Sequence, residues 1–314
     1  MKIEEELIKI KPEKGTVFTI GVFDGVHLGH QHLLNFLKDT AKKNDWLSGV
    51  LTFKSHPQTL LSSDTGLIWL SDLDKRINLL QDMGIDIIIA LDFTPEIRQL
   101  SAQQFMQLLK THLKLRGLII GPDFTLGKDK RGTADYLRSL GQEMDFTVEV
   151  VSPIMLDGEI VSSSKIRHAL VQGDVQKVSK LLGRFFSLSG RIVPGDQRGR
   201  NLGFPTINLD LNLDQASPGN GVYATFAFIE NQPLPSVTNI GTRPTFEGDG
   251  RLAETFIIDY KSQMLKQKLR IEFIEKLRNE IKFANADELK SQIEKDVEQA
   301  KEILIKHRVK EVAI

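Results

Sequence analysis

The chain has 314 residues, 40% of them hydrophobic, which is enough for one large domain or two medium ones with separate cores. Its 41 lysines and arginines balance 41 aspartates and glutamates, arguing against a polyanion-binding surface over the whole protein. There is no cysteine, so disulfides, thiolate catalysis and cysteine-ligated zinc are excluded.

The first residues, MKIEEELIKIKPEKG, are charged and lack the apolar segment of a signal peptide. In the first half, GTVFTIGVF (15–23), LSGVLTF (47–53), IDIIIAL (85–91) and LRGLIIG (115–121) are short, β-branched, apolar runs of the kind found in buried parallel strands. The longest such stretch, GIDIIIALDF, falls far short of a membrane span, so a cytoplasmic protein without membrane contact is expected. Nucleic-acid binding has no support beyond scattered lysines. Between the strands lie helical patterns: Leu33, Leu34, Leu37 and Ala41 share one face of residues 30–43, and 72–83 and 101–113 read the same way. Strand and helix in alternation predict an α/β sheet, with ligands beyond the carboxyl ends of the strands.

Near residue 184 the pattern changes. FFSLSGRIV, GVYATFAFI, LPSVTNIG, AETFIIDY and LRIEFIEKL are strand-like and separated by loops rich in Gly, Pro, Asn and Asp. With no crossover helices between them, they predict a small antiparallel barrel. The final segment is an amphipathic helix with a stripe of Leu289, Ile293, Val297, Ala300 and Leu304, opened by a capping box of Asn285 and Glu288. The expected division is an α/β domain over 1–183 and a barrel closed by a helix over 184–314, with the helices of VSSSKIRHALVQGDVQKVSKLLGR joining them.

The stretch GVFDGVHLGHQH (21–32) follows the first strand and enters the first helix. Its histidines, His27, His30 and His32, admit three readings: metal ligands, a helix start, or phosphate handling. Metal binding is disfavoured by spacing, because a helical pair of ligands needs i and i+4. A glycine-lined strand-to-helix turn presents backbone N–H groups to an anion, and imidazoles can donate to phosphate oxygens.

DGVHLGH (24–30) contains the H-x-G-H motif, and the whole turn resembles the opening signature of the nucleotidyltransferase superfamily. The resemblance implies a Rossmann-like α/β fold in which His27 and His30 contact a nucleoside triphosphate and stabilise the transition state. It also implies that Gly21, Phe23, Asp24 and Gly29 belong to the ATP-binding turn. VSSSKIR (161–167) resembles the superfamily's late I-S-S-T-x-x-R motif, matching Ser162, Ser163 and the catalytic Arg167, with Ser164 in place of threonine. TFKSHP (52–57) and GPDFTLGKDKRGT (121–133) are similar to blocks of the FMN adenylyltransferase branch. These imply flavin contacts from His56, Pro57, Asp123, Phe124 and Gly127; Leu126 stands where an aromatic is common.

GRIVPGDQRGRNLGFPTINL (190–209) is dense in glycine, arginine and turn residues, as a phosphate-wrapping loop or a hairpin loop would be. It resembles the riboflavin kinase signature G-R-x-L-G-F-P-T-A-N, with Ile207 replacing alanine. The resemblance places Gly199, Arg200, Gly203, Thr206 and Asn208 at the ATP phosphates, with Thr206 and Asn208 also on Mg²⁺. VTNIGTRPTF (237–246), AETFIIDY (253–260) and LRIEFIEKLRNEIKF (269–283) extend the match. They imply that Glu254 is the general base on the riboflavin 5′-hydroxyl and that Arg278 contacts flavin. LGRFF for L-G-R-x-Y, Phe256 for a frequent histidine and Met264–Leu265 for a Tyr-Gly turn depart from the pattern.

The chain is thus identified as a member of the prokaryotic bifunctional riboflavin kinase/FMN adenylyltransferase family. The implied architecture is a nucleotidyltransferase α/β domain followed by a six-stranded antiparallel barrel with a C-terminal helix. The implied substrates are riboflavin, FMN and ATP, the final product FAD, the metal Mg²⁺, and the assembly a monomer or weak homo-oligomer. A transferase loading CTP or ATP onto another phosphorylated acceptor, an enzyme with one working half, and a flavin-binding regulatory protein are the alternatives.

Overall fold

The computed structural model describes residues 3–55, 68–194, 199, 202–212, 214–245, 248–260 and 267–311. Its contacts divide the chain into two compact units, Met1–Ser162 and Ser163–Ile314.

The first unit contains α1 (Ile3–Leu7), β1 (Thr16–Ile20), α2 (Leu28–Asn44), β2 (Leu47–Phe53), α3 (Leu73–Asp82), β3 (Ile87–Leu91) and α4 (Pro95–Gln99). It continues with α5 (Ala102–Leu113), β4 (Leu115–Ile120), α6 (Ala134–Met144), β5 (Thr147–Val150) and a hairpin of β6 (Met155–Leu156) and β7 (Glu159–Ile160). Five parallel strands form one sheet in the order β3-β2-β1-β4-β5. Both faces are covered. Phe18, Ile20 and Leu51 pack with α5 and α6 residues in one cluster, while Val17 and Val50 pack with Leu34, Leu37 and Leu80 of α2 and α3 in another. Successive residues of β1 thus serve opposite faces, and all five are buried.

The sequence placed the end of β1 at residue 23, but pairing stops at Ile20. The backbone then passes through the left-handed region at Phe23 (φ 51°), Gly25 (φ 76°) and Val26 (φ 38°), which no continuing strand allows. β5 carries no strand signal in the sequence, because its half-exposed TVEV lacks the apolar run of the inner strands, as an edge strand does.

The second unit opens with α7 (Ser163–Val171) and α8 (Val175–Leu182). It then forms a closed barrel from β8 (Phe186–Val193), β9 (Ile207–Asp210), β10 (Gly221–Ile229), β11 (Gln232–Thr245), β12 (Gly248–Ile257) and β13 (Lys268–Arg278). All barrel pairings are antiparallel, in the order β10-β11-β12-β9-β8-β13. Alternate residues fill the interior, where Thr225 Oγ1 meets Ser236 Oγ at 2.7 Å and Thr238 Oγ1 at 2.8 Å, and Thr238 meets Thr255 at 3.0 Å. That chain satisfies hydroxyls that water cannot reach. The outer face of β10 and β11, including Val222, Ala224, Phe226 and Val237, packs on Val297, Ala300 and Leu304 of α9 (Ala286–Glu311).

α9 starts as predicted: Asn285 Oδ1 accepts from the Glu288 N–H at 2.9 Å. The glutamate reaches back one residue further than a standard box, to the Ala284 N–H at 3.1 Å. The strand the sequence runs did not show is β9, which sits inside the glycine-rich block and is only four residues long.

Candidate active sites

The turn between β1 and α2 is built around His27. This residue is buried and caps α2, its Nδ1 accepting from the His30 N–H at 3.3 Å. An accepting Nδ1 puts the proton of a neutral His27 ring on Nε2, leaving that atom as a donor. The two imidazoles stack at 3.7 Å with 17° between planes, and the Phe23 ring meets His30 edge-on at 5.1 Å. Gly29 makes the stack possible. A Cβ there would lie 3.1 Å from the His27 ring and 3.2 Å from the Val161 carbonyl oxygen. We therefore expect Gly29→Ala to displace His27 and lower FMN adenylylation by about tenfold or more in a steady-state assay, with riboflavin phosphorylation unchanged.

His30 Nδ1 is enclosed and has no hydrogen-bond partner among the described residues. Burial, then the charges of His27 and Arg76, hold the His30 pKa well below its usual value, so the ring is neutral at pH 7. Asp24 has a different place. Its carboxylate is buried and accepts from the Leu70 N–H at 3.0 Å and the Ser71 N–H at 3.1 Å, while Ser71 Oγ accepts from the Gly25 N–H at 3.0 Å. It thereby pins the turn to the segment leading into α3. Three left-handed residues within four positions, one of them β-branched Val26, mark a backbone held by these contacts against its own preference.

Beside the turn lies a cavity of ≈ 540 Å³. The ≈ 540 Å³ cavity opens at the carboxyl ends of β1 and β2, where Gly21, Phe53, Phe93, Phe105, Phe124 and Leu126 line it. Strand order reverses between β1 and β4, the position at which open α/β sheets bind ligands. Arg98, Lys128 and Lys130 add cations to an aromatic wall suited to a flat ring bearing a phosphate. Gly127 belongs to this lining with φ 78°, and a Cβ there would lie 2.4 Å from the Ala102 nitrogen. Asp123 is exposed and lies outside the lining. Ser162 ends the first unit; Ser163 and Arg167 lie on α7 in the second. His56, Pro57 and Arg200 fall outside the described residues.

In the barrel unit, a cavity of ≈ 370 Å³ lies on the outer face, between the strands and α9. Glu254 of β12 stands in register with Asn208 of β9 on one side and Asn239 of β11 on the other, and all three line it. Thr206 is exposed, and the buried Asn208 Oδ1 has no partner among the described residues. Gly199 and Phe204 close the adjoining loop. The Phe204 N–H donates to the Gly199 carbonyl at 2.8 Å, and a Cβ on Gly199 would lie 2.4 Å from the Phe204 carbonyl oxygen. Gly203 has φ 92°. Phe256 meets Phe204 edge-on at 5.3 Å, so the residue that departs from histidine anchors this loop to the strand that carries Glu254.

Arg278 also lines the cavity, but its guanidinium is held in a fork by Asp296 of α9, with Nε and Nη2 at 3.0 and 2.8 Å from Oδ2. Asp296 is only 3% exposed. Arg278→Met would leave that buried carboxylate without its cation, with only the Gln292 amide donating to it at 2.9 Å, and we expect a loss of about 3 kcal/mol in denaturant unfolding of the barrel. Sequence reasoning missed Asp296, Asn239 and Arg76. Asp296 and Arg76 each interrupt the apolar stripe of an amphipathic helix, which is the signal that could have found them.

No group of three or more His, Asp or Glu placed to hold a metal occurs among the described residues. The FAD synthetase family profile matches residues 9–165 and the riboflavin kinase profile matches 182–304. A bifunctional riboflavin kinase/FMN adenylyltransferase from Escherichia coli K12 is 36% identical over 293 residues, covering 93% of each chain. The chain belongs to the bifunctional riboflavin kinase/FMN adenylyltransferase family. The family proteins of Haemophilus influenzae, 37% identical over 92% of this chain and 94% of that one, and Bacillus subtilis, 33% over 94% of each, match it over the same extent. A solved Streptococcus pneumoniae structure, named as a macrolide-efflux protein, superimposes with a TM-score of 0.88 at 28% identity, covering 94% of this chain and 97% of that one. Among the described residues no helix is long and apolar enough to cross a membrane. With both family domains present, the chain is a transferase with riboflavin kinase and FMN adenylyltransferase activities.

Proposed function

We propose that Glu254 accepts the proton of the riboflavin 5′-hydroxyl as that oxygen attacks the γ-phosphorus of ATP. The new O–P bond gives FMN, and ADP leaves with the bridging oxygen. An unactivated alcohol needs such a base, and the observation that carries the assignment is the register of Glu254 between Asn208 and Asn239 at the cavity. Phe204, Phe256 and Phe283 supply apolar walls for an isoalloxazine ring. Thr206 Oγ1 and Asn208 Oδ1 would hold Mg²⁺, and the orphaned, buried Oδ1 fits a hard cation. When bound, Mg²⁺ would offset triphosphate charge.

In the first unit an FMN phosphate oxygen attacks the α-phosphorus of ATP, forming FAD and releasing pyrophosphate. That nucleophile is already ionised at neutral pH, so this step needs charge stabilisation and positioning more than a base. A neutral His30 and a His27 that donates from Nε2 suit that role, with Gly21, Phe23 and Gly29 shaping the turn and Asp24 fixing it. Arg167, Ser162 and Ser163 are proposed at the triphosphate, and Phe124 and Gly127 at the flavin. The border between the catalytic halves is proposed at 183/184, supported by the profile matches ending at 165 and resuming at 182. By-products test the division of labour: riboflavin with ATP should release ADP first, and FMN with ATP only pyrophosphate. Pyrophosphate released from riboflavin before any ADP would overturn it.

A further inference from the structure

Arg76 is the largest side chain among the fully buried ones, 1% exposed on α3, at the helix position where the spacing of Leu73 and Leu80 calls for an apolar residue. A guanidinium is kept in such a place only by specific partners. Its Nη1 donates to the Val22 carbonyl at 2.7 Å, and its carbon lies 4.7 Å from the centre of the Trp69 ring. Its Nε has no partner among the described residues. Asp24 and Asp72 act on its charge, and Arg76 acts in turn on His30. Val22 and Asp24 flank Phe23, whose ring packs on His30, so one buried cation bonds the turn and acts through its charge on the acidic anchor and on His30.

We propose that Arg76 is a positioning residue for adenylyl transfer, holding the Val22–Asp24 turn and, through it, the stacked His27–His30 rings in place. The inference rests on the reading of that turn as the adenylyl-transfer site. The Val22 carbonyl sits between the end of β1 and the left-handed Phe23, past the last ladder residue, and accepts from Thr52 Oγ1 of β2 at 3.0 Å as well as from Arg76. Arg76 provides the shorter of the two bonds, the charged one, and ties the turn to α3 while Thr52 ties it to the sheet. The Arg76 charge adds to burial and to His27 in keeping the His30 ring neutral. The groups acting on His30 are His27 from the same helix start and Arg76 from α3, with Asp24 and Asp72 acting on Arg76.

The test uses the full chain carrying Arg76→Met and, separately, Arg76→Lys, with riboflavin phosphorylation in the same molecule as the internal control. Arg76→Met should lower kcat for FMN adenylylation by about 10- to 100-fold, as small misplacements do. The His30 ring, followed by NMR as pH is lowered, should take its proton at a higher pH than in the unsubstituted protein. Arg76→Lys keeps the charge and a donor for Val22, so it should retain most of the activity and the low His30 titration. Adenylylation within twofold of the unsubstituted protein in Arg76→Met would overturn the proposal. If Arg76→Met does not fold, the lysine variant decides: a kinase-active Arg76→Lys with His30 titrating in the ordinary imidazole range would overturn it equally. Failure of the adenylyl-transfer reading itself looks different, because His30→Ala would then leave FAD synthesis intact.

Discussion

His30→Ala should lower FAD formation from FMN by about 10²–10³-fold while riboflavin phosphorylation proceeds at its ordinary rate. Alanine removes the ring that stacks on His27 at 3.7 Å and that Phe23 supports at its edge, so the loss includes the geometry of the pair as well as one group. The backbone cap is unaffected, because the His30 N–H still donates to His27 Nδ1. The helix start, and hence the α/β unit, should therefore remain folded. Initial rates of FAD and FMN formation, measured on the same preparation, check this directly. Retained FAD synthesis would remove His30 from the catalytic account.

The second large effect belongs to the barrel. Glu254→Gln keeps shape and hydrogen-bonding capacity but removes the carboxylate, and riboflavin phosphorylation should fall by about 10²–10⁴-fold. The register with Asn208 and Asn239 is set by backbone pairing, so the cavity should keep its form. Riboflavin binding, followed by flavin fluorescence, should change little, and FMN adenylylation should be unaffected. A variant that phosphorylates riboflavin within tenfold of the unsubstituted protein would show that another group takes the proton.

Most of the architecture was legible because it depends on period. The buried strands β1 to β4 declare themselves as apolar runs, and the helices by a stripe every three or four residues. Where period is weak, the reading stops short. β5 is a half-exposed edge, and β9 is four residues at the end of a glycine-rich block whose composition signals a loop. The site was legible only in part, and for a related reason. H-x-G-H and P-T-x-N are compact in sequence because one turn or one strand presents their residues. Asn239 and Asp296 come to the barrel cavity from separate elements, β11 and α9, and spacing along the chain carries no trace of that meeting. Asp24 sits in the motif yet spends its carboxylate on the backbone at Leu70 and Ser71, 46 positions away and beyond. Chemistry can be read from a motif; the partner that consumes a group has to be seen in the fold.

One chain carries both transferase activities, and we propose a separate cavity for each of the two successive transfers. The most direct measurement is a time course by HPLC of the purified protein with riboflavin, ATP and Mg²⁺ as the only reactants. The account predicts that riboflavin falls, FMN rises first, and FAD follows at the expense of FMN. FMN that accumulates while FAD never forms, or riboflavin that is not consumed although added FMN is adenylylated, would contradict it.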